Sequence, residues 1–167
     1  MTVPQITLDT NLLLEYWKDQ KRRAVIERLI ELSRRELVEL VVTARIREDV
    51  PRFPLSEKID QLSDLNVQEG PSITRLGCWV LDRDVLADDS FVEVSERVDD
   101  ELRHRGRNPP DWRDWDHLHA HFLSGRSVFL TWDERILEAA AALQVELGID
   151  VNTPEGWLVQ SGFGAFA

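Results

Sequence analysis

Three acidic residues lie at positions where their carboxylates could do chemistry together. The segment 6–11, "ITLDTN", turns from apolar to polar at Asp9, and the segment 128–133, "VFLTWD", ends at Asp133. Asp116 lies in the stretch that leads into the second of these segments. Carboxylate oxygens are ligands that Mg²⁺ and Mn²⁺ prefer, and such ions polarise a phosphodiester and lower the pKa of a bound water. The three acids therefore predict divalent-metal chemistry on phosphate esters, provided that the fold brings them together.

The elements that must position these acids alternate between short apolar segments and segments of helical periodicity. Such alternation is typical of a mostly parallel sheet with helices on both faces, an α/β sheet of four or five strands. Ligands of these sheets bind beyond the carboxyl ends of the strands, and Asp9, Thr43 and Asp133 each follow such an end. The predicted strands are 3–8, 37–43, 126–131 and a short one within 149–152, and the predicted helices include 11–17, 22–37, 44–50, 109–125 and 132–148.

A fourth acid comes from the pair Glu48 and Asp49, in the helix after the second strand. At about 100° per residue, Val50 lies about 40° from Ile46 and Asp49 about 60° away on the other side, whereas Glu48 lies roughly 160° away. If Ile46 and Val50 face the core, Asp49 borders the buried face and Glu48 points to water. We therefore choose Asp49 as the fourth carboxylate.

Composition sets wider limits. The chain has 167 residues, 43% of them apolar, which is enough for one domain with a sizeable core. Its 31 acidic against 20 basic residues give a formal charge of −11. This balance excludes a uniformly basic nucleic-acid binder but not an enzyme with a local basic patch. The single Cys78 indicates a reducing compartment. With no signal-peptide pattern or bilayer-spanning run, we expect a cytoplasmic protein without a membrane partner.

Three motifs together resemble the PIN-domain ribonucleases. "ITLDTNLLLEY" (6–16) is similar to their opening strand and Asp-Thr-Asn turn. "DHLHAHFLSGRSVFLTWDERIL" (116–137) is similar to their helix-borne Asp, short strand and Thr-x-Asp motif. "VNTPEGWL" (151–158) resembles the last strand and Thr-Pro-Glu helix that many members carry. The motifs lie at both ends of the chain, cover roughly half of it, and follow the family's order.

This resemblance implies a fold and an activity. The expected structure is a single PIN-like domain over residues 1–167, a three-layer α/β/α sandwich with a mostly parallel central sheet. The expected activity is that of a metal-dependent endoribonuclease with Mg²⁺ or Mn²⁺ as cofactor. The expected partners are RNA, a second copy of the chain in a homodimer, and a protein antitoxin if the chain is the toxin of a toxin–antitoxin pair.

The resemblance also implies roles for individual residues. By motif position, Asp9 is the ligand after the first strand, Asp116 the ligand on the helix and Asp133 the acid of Thr-x-Asp. Family members usually place the remaining acid, a Glu or Asp, in the helix after the second strand, where the facing argument selects Asp49. Asn11 and Thr131 are expected to support the carboxylates through hydrogen bonds.

Two other groups of residues have competing interpretations. Arg103, Arg105 and Arg107 precede the Asp116 helix and predict either a phosphate-binding patch, with Trp112 or Trp115 for base stacking, or a solvated loop. In "HLHAH" (117–121) only the first and last histidines share a helix face, so a zinc site is less favoured than a partner contact or plain surface.

Each acid also has a simpler interpretation, because Asp9 or Asp133 alone could cap the helix that follows it. A phosphoacceptor receiver domain would need a second acid beside Asp9 and a lysine at a later strand end, and the sequence offers neither. The alternative that we keep is a PIN-like module without catalysis, which would bind RNA or protein.

Overall fold

The computed structural model describes residues 3–18, 22–50, 55–74, 84–86 and 89–164. In chain order the elements are β1 (Gln5–Leu8), α1 (Thr10–Trp17), α2 (Arg23–Arg34), β2 (Glu39–Thr43), α3 (Ile46–Asp49), α4 (Leu55–Ile59), a 3-10 turn (Leu62–Leu65), β3 (Val67–Gly70), β4 (Ser72–Thr74), β5 (Asp84–Leu86), α5 (Asp89–His104), α6 (Trp112–Leu123), β6 (Val128–Leu130), α7 (Glu134–Leu147), β7 (Val151–Asn152) and α8 (Pro154–Gln160).

The main sheet has five parallel strands in the order β3-β2-β1-β6-β7. In the register at its centre, Thr7 of β1 lies between Val41 of β2 and Phe129 of β6. Strands β4 and β5 form a separate parallel pair. The sequence prediction of a mostly parallel sheet is therefore confirmed, and β1, β2 and β6 carry the predicted site residues at their carboxyl ends.

Successive residues of each strand point to opposite faces of the sheet, and two apolar clusters follow from this alternation. Ile6 and Leu8 of β1 pack in the cluster that contains the apolar side chains of α1, α2 and α8. Phe129 of β6 packs in the other cluster, with side chains of α5, α6 and α7. Helices cover both faces, which is the three-layer α/β/α arrangement expected from the sequence.

Helix α6 is fixed at both ends and positions much of the site. Asp111 caps its N-terminus by accepting hydrogen bonds from the backbone N–H groups of Arg113 and Asp114, and the Asp114 carboxylate accepts from the backbone N–H of Asp111. The chain turns after the helix at Gly125, whose φ of +61° is in the left-handed region that glycine adopts at little cost. Every residue from 115 to 121 is buried, so this helix delivers its polar side chains into the protein.

The region 56–110, where the sequence predicted least, contains β3, the β4–β5 pair and α5. Residues 75–83, which include Cys78, lie outside the described residues. Within the described part, no helix is both long enough and apolar enough to cross a bilayer.

Candidate carboxylate site

Asp9 is a buried carboxylate between the end of β1 and the start of α1. Its Oδ2 accepts hydrogen bonds from Thr131 Oγ1 at 2.6 Å and from Asn11 Nδ2 at 2.8 Å. The side chain makes no capping hydrogen bond to α1, so the simpler cap interpretation does not describe Asp9. Burial raises the pKa of Asp9 above its ordinary value, although the charge of His117 and the hydrogen bond from Thr131 oppose the shift.

Thr131 links the ends of β1 and β6. Besides donating to Asp9, its Oγ1 accepts from the backbone N–H of Asp133 at 2.9 Å and from Asn11 Nδ2 at 3.2 Å. Asn11 and Thr131 therefore make the contacts expected of residues that hold the Asp9 carboxylate in place.

Asp133 both caps a helix and binds an arginine side chain. Its Oδ1 accepts from the backbone N–H of Arg135 at 2.8 Å, so it caps α7, and the Arg135 guanidinium binds the same carboxylate. Burial favours a higher pKa for Asp133, but the hydrogen bonds and charge of Arg135 outweigh it and the pKa lies below its ordinary value. The charge of Asp133 also raises the pKa of Asp9, so the two carboxylates are electrostatically coupled across Thr131.

The choice between Glu48 and Asp49 is decided by their exposure. The Asp49 side chain is 14% exposed and that of Glu48 is 56% exposed, so the inward residue of this pair is Asp49, as the facing argument predicted. Asp49 Oδ2 accepts hydrogen bonds from His117 Nε2 at 2.7 Å and from Thr10 Oγ1 at 3.2 Å. Burial alone would raise the pKa of Asp49, but the hydrogen bond from His117 and the nearby positive charges lower it.

His117 is a site residue that the sequence analysis did not identify. Its ring is buried, with Nδ1 against Thr43 Oγ1 at the end of β2 and Nε2 against Asp49. Burial favours a lower pKa for His117, but the hydrogen bond to Asp49 and the charges of Asp9 and Asp49 raise it. Both ring nitrogens of His117 are therefore engaged, and the raised pKa favours the protonated ring beside the Asp49 carboxylate.

The expectation that the histidines of "HLHAH" lie at the surface or against a partner is wrong, because all three are buried. His117 and His121 share the helix face that covers the sheet, and His121 Nδ1 lies 2.8 Å from Thr7 Oγ1 of β1. His119 points elsewhere and stacks on Phe91 of α5, with 4.0 Å between ring centroids.

Arg45 is a second residue that the sequence analysis missed. Its Nη1 donates to Asp116 Oδ2 at 2.9 Å, and both side chains are buried, 8% and 6% exposed. Its Nε lies 3.8 Å from Asp49 Oδ1, and Nη1 lies 3.3 Å from Glu48 Oε2. The guanidinium therefore lies between Asp49 and Asp116. The spacing of Arg45 to Glu48 and Asp49, three and four residues along a helical turn, could have indicated these ion pairs.

The side chains of this site are of the types that bind divalent cations, but their positions do not form a metal site. Carboxylate oxygens suit Mg²⁺ or Mn²⁺, and the buried Asp9 has an ionised form that a nearby cation would stabilise. Among the described residues, however, no three His, Cys, Asp or Glu side chains are grouped closely enough to hold a metal ion. Arg45 and His117 supply the positive charge between the acids.

The predicted arginine patch has other partners. Arg103 pairs with Asp99 and Asp100, Arg105 with Glu101, and Arg107 with Glu138 of α7. None of these partners belongs to the carboxylate site.

A groove of about 610 Å³ lies beside the site instead. Its wall contains Asn11 and carries both signs of charge, from the basic Lys18, Arg22 and Arg135 and the acidic Glu15, Asp133 and Glu134. The Arg22 guanidinium lies 4.8 Å from the centre of the Trp132 ring, in the same wall. The groove therefore joins two of the site residues to basic side chains and an indole ring.

Comparisons with known proteins give likenesses in fold. No protein-family model and no curated protein matches the sequence. One similar structure is that of VapBC2 from Rickettsia felis, bound to a DNA fragment from the promoter of VapBC2. Its sequence is 9% identical, the TM-score is 0.49, and the match covers 89% of this chain and 98% of that chain. Another is VapBC-1 from nontypeable Haemophilus influenzae, with 14% identity, a TM-score of 0.49, and 90% and 98% covered.

Identities this low concern the fold alone. The three-layer α/β/α fold predicted from the sequence is confirmed, because the strands of the main sheet are all parallel and helices lie on both faces. The roles of individual residues rest on the geometry of the site itself.

Proposed function

We propose that this protein is a divalent-metal-dependent ribonuclease that hydrolyses RNA phosphodiester bonds. The observation that carries the proposal is the gathering of four acidic residues from different elements beyond the carboxyl ends of the central strands. Thr131 binds the Asp9 carboxylate and the backbone N–H of Asp133, and the Arg45 guanidinium contacts the carboxylates of Asp49 and Asp116. We assign these four acids as the groups that hold Mg²⁺ or Mn²⁺.

The chain's own residues would orient the carboxylates and adjust their charge. A bound Mg²⁺ or Mn²⁺ would polarise the scissile phosphodiester and lower the pKa of a bound water. Thr131 and Asn11 fix the Asp9 carboxylate by hydrogen bonds, and His117 fixes that of Asp49. None of the four acids needs to act as a nucleophile in this scheme.

The groove beside Asp133 is the path that we propose for the RNA strand. Lys18, Arg22 and Arg135 would contact phosphates, and the face of Trp132 would stack on a base in place of the Arg22 guanidinium. Arg103, Arg105 and Arg107 remain in the proposal as an outer patch, in which present ion pairs would be exchanged for phosphate contacts.

We also propose two protein partners, on the strength of the resemblance in sequence motifs. The first is a protein antitoxin, which would make this chain the toxin of a pair. The second is a second copy of the chain in a homodimer. Sedimentation of the purified protein tests the homodimer, and a monomer at high concentration would refute it.

A PIN-like module without catalysis is the second candidate function. One observation favours it: Arg45 and His117 already contact the carboxylates of Asp49 and Asp116, so these two acids are not free for a metal ion as they stand. Such a module would bind RNA or protein through the same groove.

Cleavage assays separate the two candidates. Purified protein is incubated with single-stranded and structured RNAs in Mn²⁺ or in EDTA, alongside Asp9→Asn and Asp49→Asn. Asp150→Asn is the matched control, because it makes the same change at an exposed position. We expect cleavage by the wild type and the control in Mn²⁺ only, and little or none by the two site variants. Cleavage that persists in EDTA would refute the metal-dependent mechanism, and no cleavage of any RNA would favour the binding module.

A further inference from the structure

The buried guanidinium of Arg45 occupies the interior of the carboxylate site. It lies between Asp49 and Asp116, at 3.8 Å and 2.9 Å respectively from an oxygen of each. Its Nε has no hydrogen-bond partner within the described residues, although the side chain is 8% exposed. The cation is thus held by one short hydrogen bond to Asp116, by ion pairs with Glu48 and Asp49 and by the Trp112 ring, while its Nε makes no hydrogen bond.

Two positive groups cannot share this space. Carboxylates that lie close together repel one another unless a cation lies between them, and a second cation added beside the first would itself be repelled. We infer that the Arg45 guanidinium and a divalent cation are alternative occupants of the space between Asp49 and Asp116. Arg45 is then a competitor built into the site, which turns outward before the ion binds. This inference rests on the proposed metal-dependent function and concerns its regulation.

Two exposed side chains already contact the Arg45 guanidinium in its inner position. Glu48 Oε2 lies 3.3 Å from Nη1, and the Glu48 side chain is largely exposed. The Trp112 ring centre lies 4.3 Å from the Arg45 guanidinium carbon, and Trp112 is itself an exposed residue. Rotation of the long arginine side chain would keep its charge close to a carboxylate and an aromatic face. The unpaired Nε lowers the cost of leaving the inner position, because water can then satisfy that donor.

Direct measurement of Mn²⁺ binding tests the inference without RNA. Free Mn²⁺ is measured by electron paramagnetic resonance as it is added to the wild type, Arg45→Gln and Arg113→Gln. The Arg113→Gln control removes an exposed arginine whose guanidinium carbon also lies over Trp112, at 5.3 Å from the ring centre. We expect Arg45→Gln to bind Mn²⁺ about tenfold more tightly than the wild type, within the usual range of coupling between two sites. The control should differ from the wild type by no more than about twofold.

The outcomes distinguish the inference from the proposed function. Equal or weaker Mn²⁺ binding by a folded Arg45→Gln, beside measurable binding by the wild type, overturns the inference and leaves the metal-dependent function standing. No binding by any of the proteins overturns both. Tighter binding by Arg45→Gln without cleavage of any RNA supports the inference and overturns the ribonuclease.

A second measurement applies if Arg45→Gln does not fold. The ¹⁵N-labelled arginine Nε–H signals of the wild type are recorded during a Mg²⁺ titration, with the Arg45 signal assigned by its loss in Arg45→Lys. We expect this signal to change saturably, to a position typical of a solvated guanidinium. A signal that stays unchanged while Mg²⁺ saturates the protein would overturn the inference.

Discussion

Two conservative substitutions in the carboxylate site should change the stability of the metal-free protein in opposite directions. Asp116 is the buried partner of the Arg45 guanidinium, so Asp116→Asn removes the charge that stabilises a buried cation. Asp9 is a buried carboxylate whose pKa is raised by burial, so its ionised form costs the native state stability at neutral pH. Asp9→Asn removes that cost, and an amide oxygen can still accept the hydrogen bonds from Thr131 and Asn11.

The contacts of Asp116 set the size of its effect. Removing one partner of a buried ion pair typically costs 3–5 kcal/mol, and Arg45 keeps Glu48 and Asp49 nearby, so we expect about 3 kcal/mol. For a domain of this size that loss lowers the melting temperature by about 6–12 °C. For Asp9→Asn only the sign follows from the structure. The pKa of Asp9 is raised above its ordinary value of 3.8, so the gain in stability is present at high pH and disappears as the pH falls below that value.

Thermal unfolding followed by circular dichroism, in EDTA at pH 8, measures both effects. Asp116→Asn should melt below the wild type and Asp9→Asn above it. In a double-mutant cycle, Arg45→Gln should cost much less in the Asp116→Asn background than alone, because the pair is already broken. The reasoning is refuted if both variants shift the melting temperature in the same direction, or if Asp116→Asn leaves it unchanged. Either result would mean that the charge of Asp116 does not stabilise the metal-free protein while that of Asp9 destabilises it.

Three further predictions concern the neighbours of these acids. Thr131→Val should lower the free energy of unfolding by about 2 kcal/mol in urea titrations, because it leaves the Asp133 N–H unpaired and removes one of the donors to Asp9. Thr131→Ser should retain most of the stability. Burial lowers the pKa of His121 to about 3, so the wild type loses stability as the pH falls from about 6.5 towards 3. His121→Gln should lose less stability over that range, as measured by urea titrations at each pH. Burial raises the pKa of Asp114 to about 6. Asp114→Asn should therefore gain stability relative to the wild type as the pH rises from 4 to 7, and melting curves recorded across that range measure this gain.

The parts of the site that the sequence predicted depend on local signals. A short apolar segment followed by a polar residue marks a strand end, and this pattern placed Asp9 and Asp133 at one edge of the sheet. The 100° step of a helical turn was enough to choose Asp49 over Glu48, since α3 presents one face to the core. Both signals need only residues that are close together in the chain.

The parts that were missed depend on contacts between distant residues. Arg45 is buried because Asp116, 71 positions later in the chain, lies against it. His117 is buried because α6 packs against β2 and α3, where its ring nitrogens contact Thr43 and Asp49. The arginine patch was overestimated for a local reason: Arg103 and Arg105 each follow an acid by four residues, a spacing that itself predicts ion pairs on a helix.

The balance of charge in the site explains why its two cations have different roles. The guanidinium of Arg45 contacts Asp49 and Asp116, and the ring of His117 contacts Asp49. The pKa of Asp9 is raised chiefly by burial, and the charge of Asp133 adds to that shift. His117 is held by hydrogen bonds at both ring nitrogens, whereas Arg45 has a long side chain beside the exposed Glu48. In the proposed exchange the cation that leaves is therefore Arg45, and replacing its single charge with the double charge of Mg²⁺ or Mn²⁺ would further stabilise the ionised form of the acids.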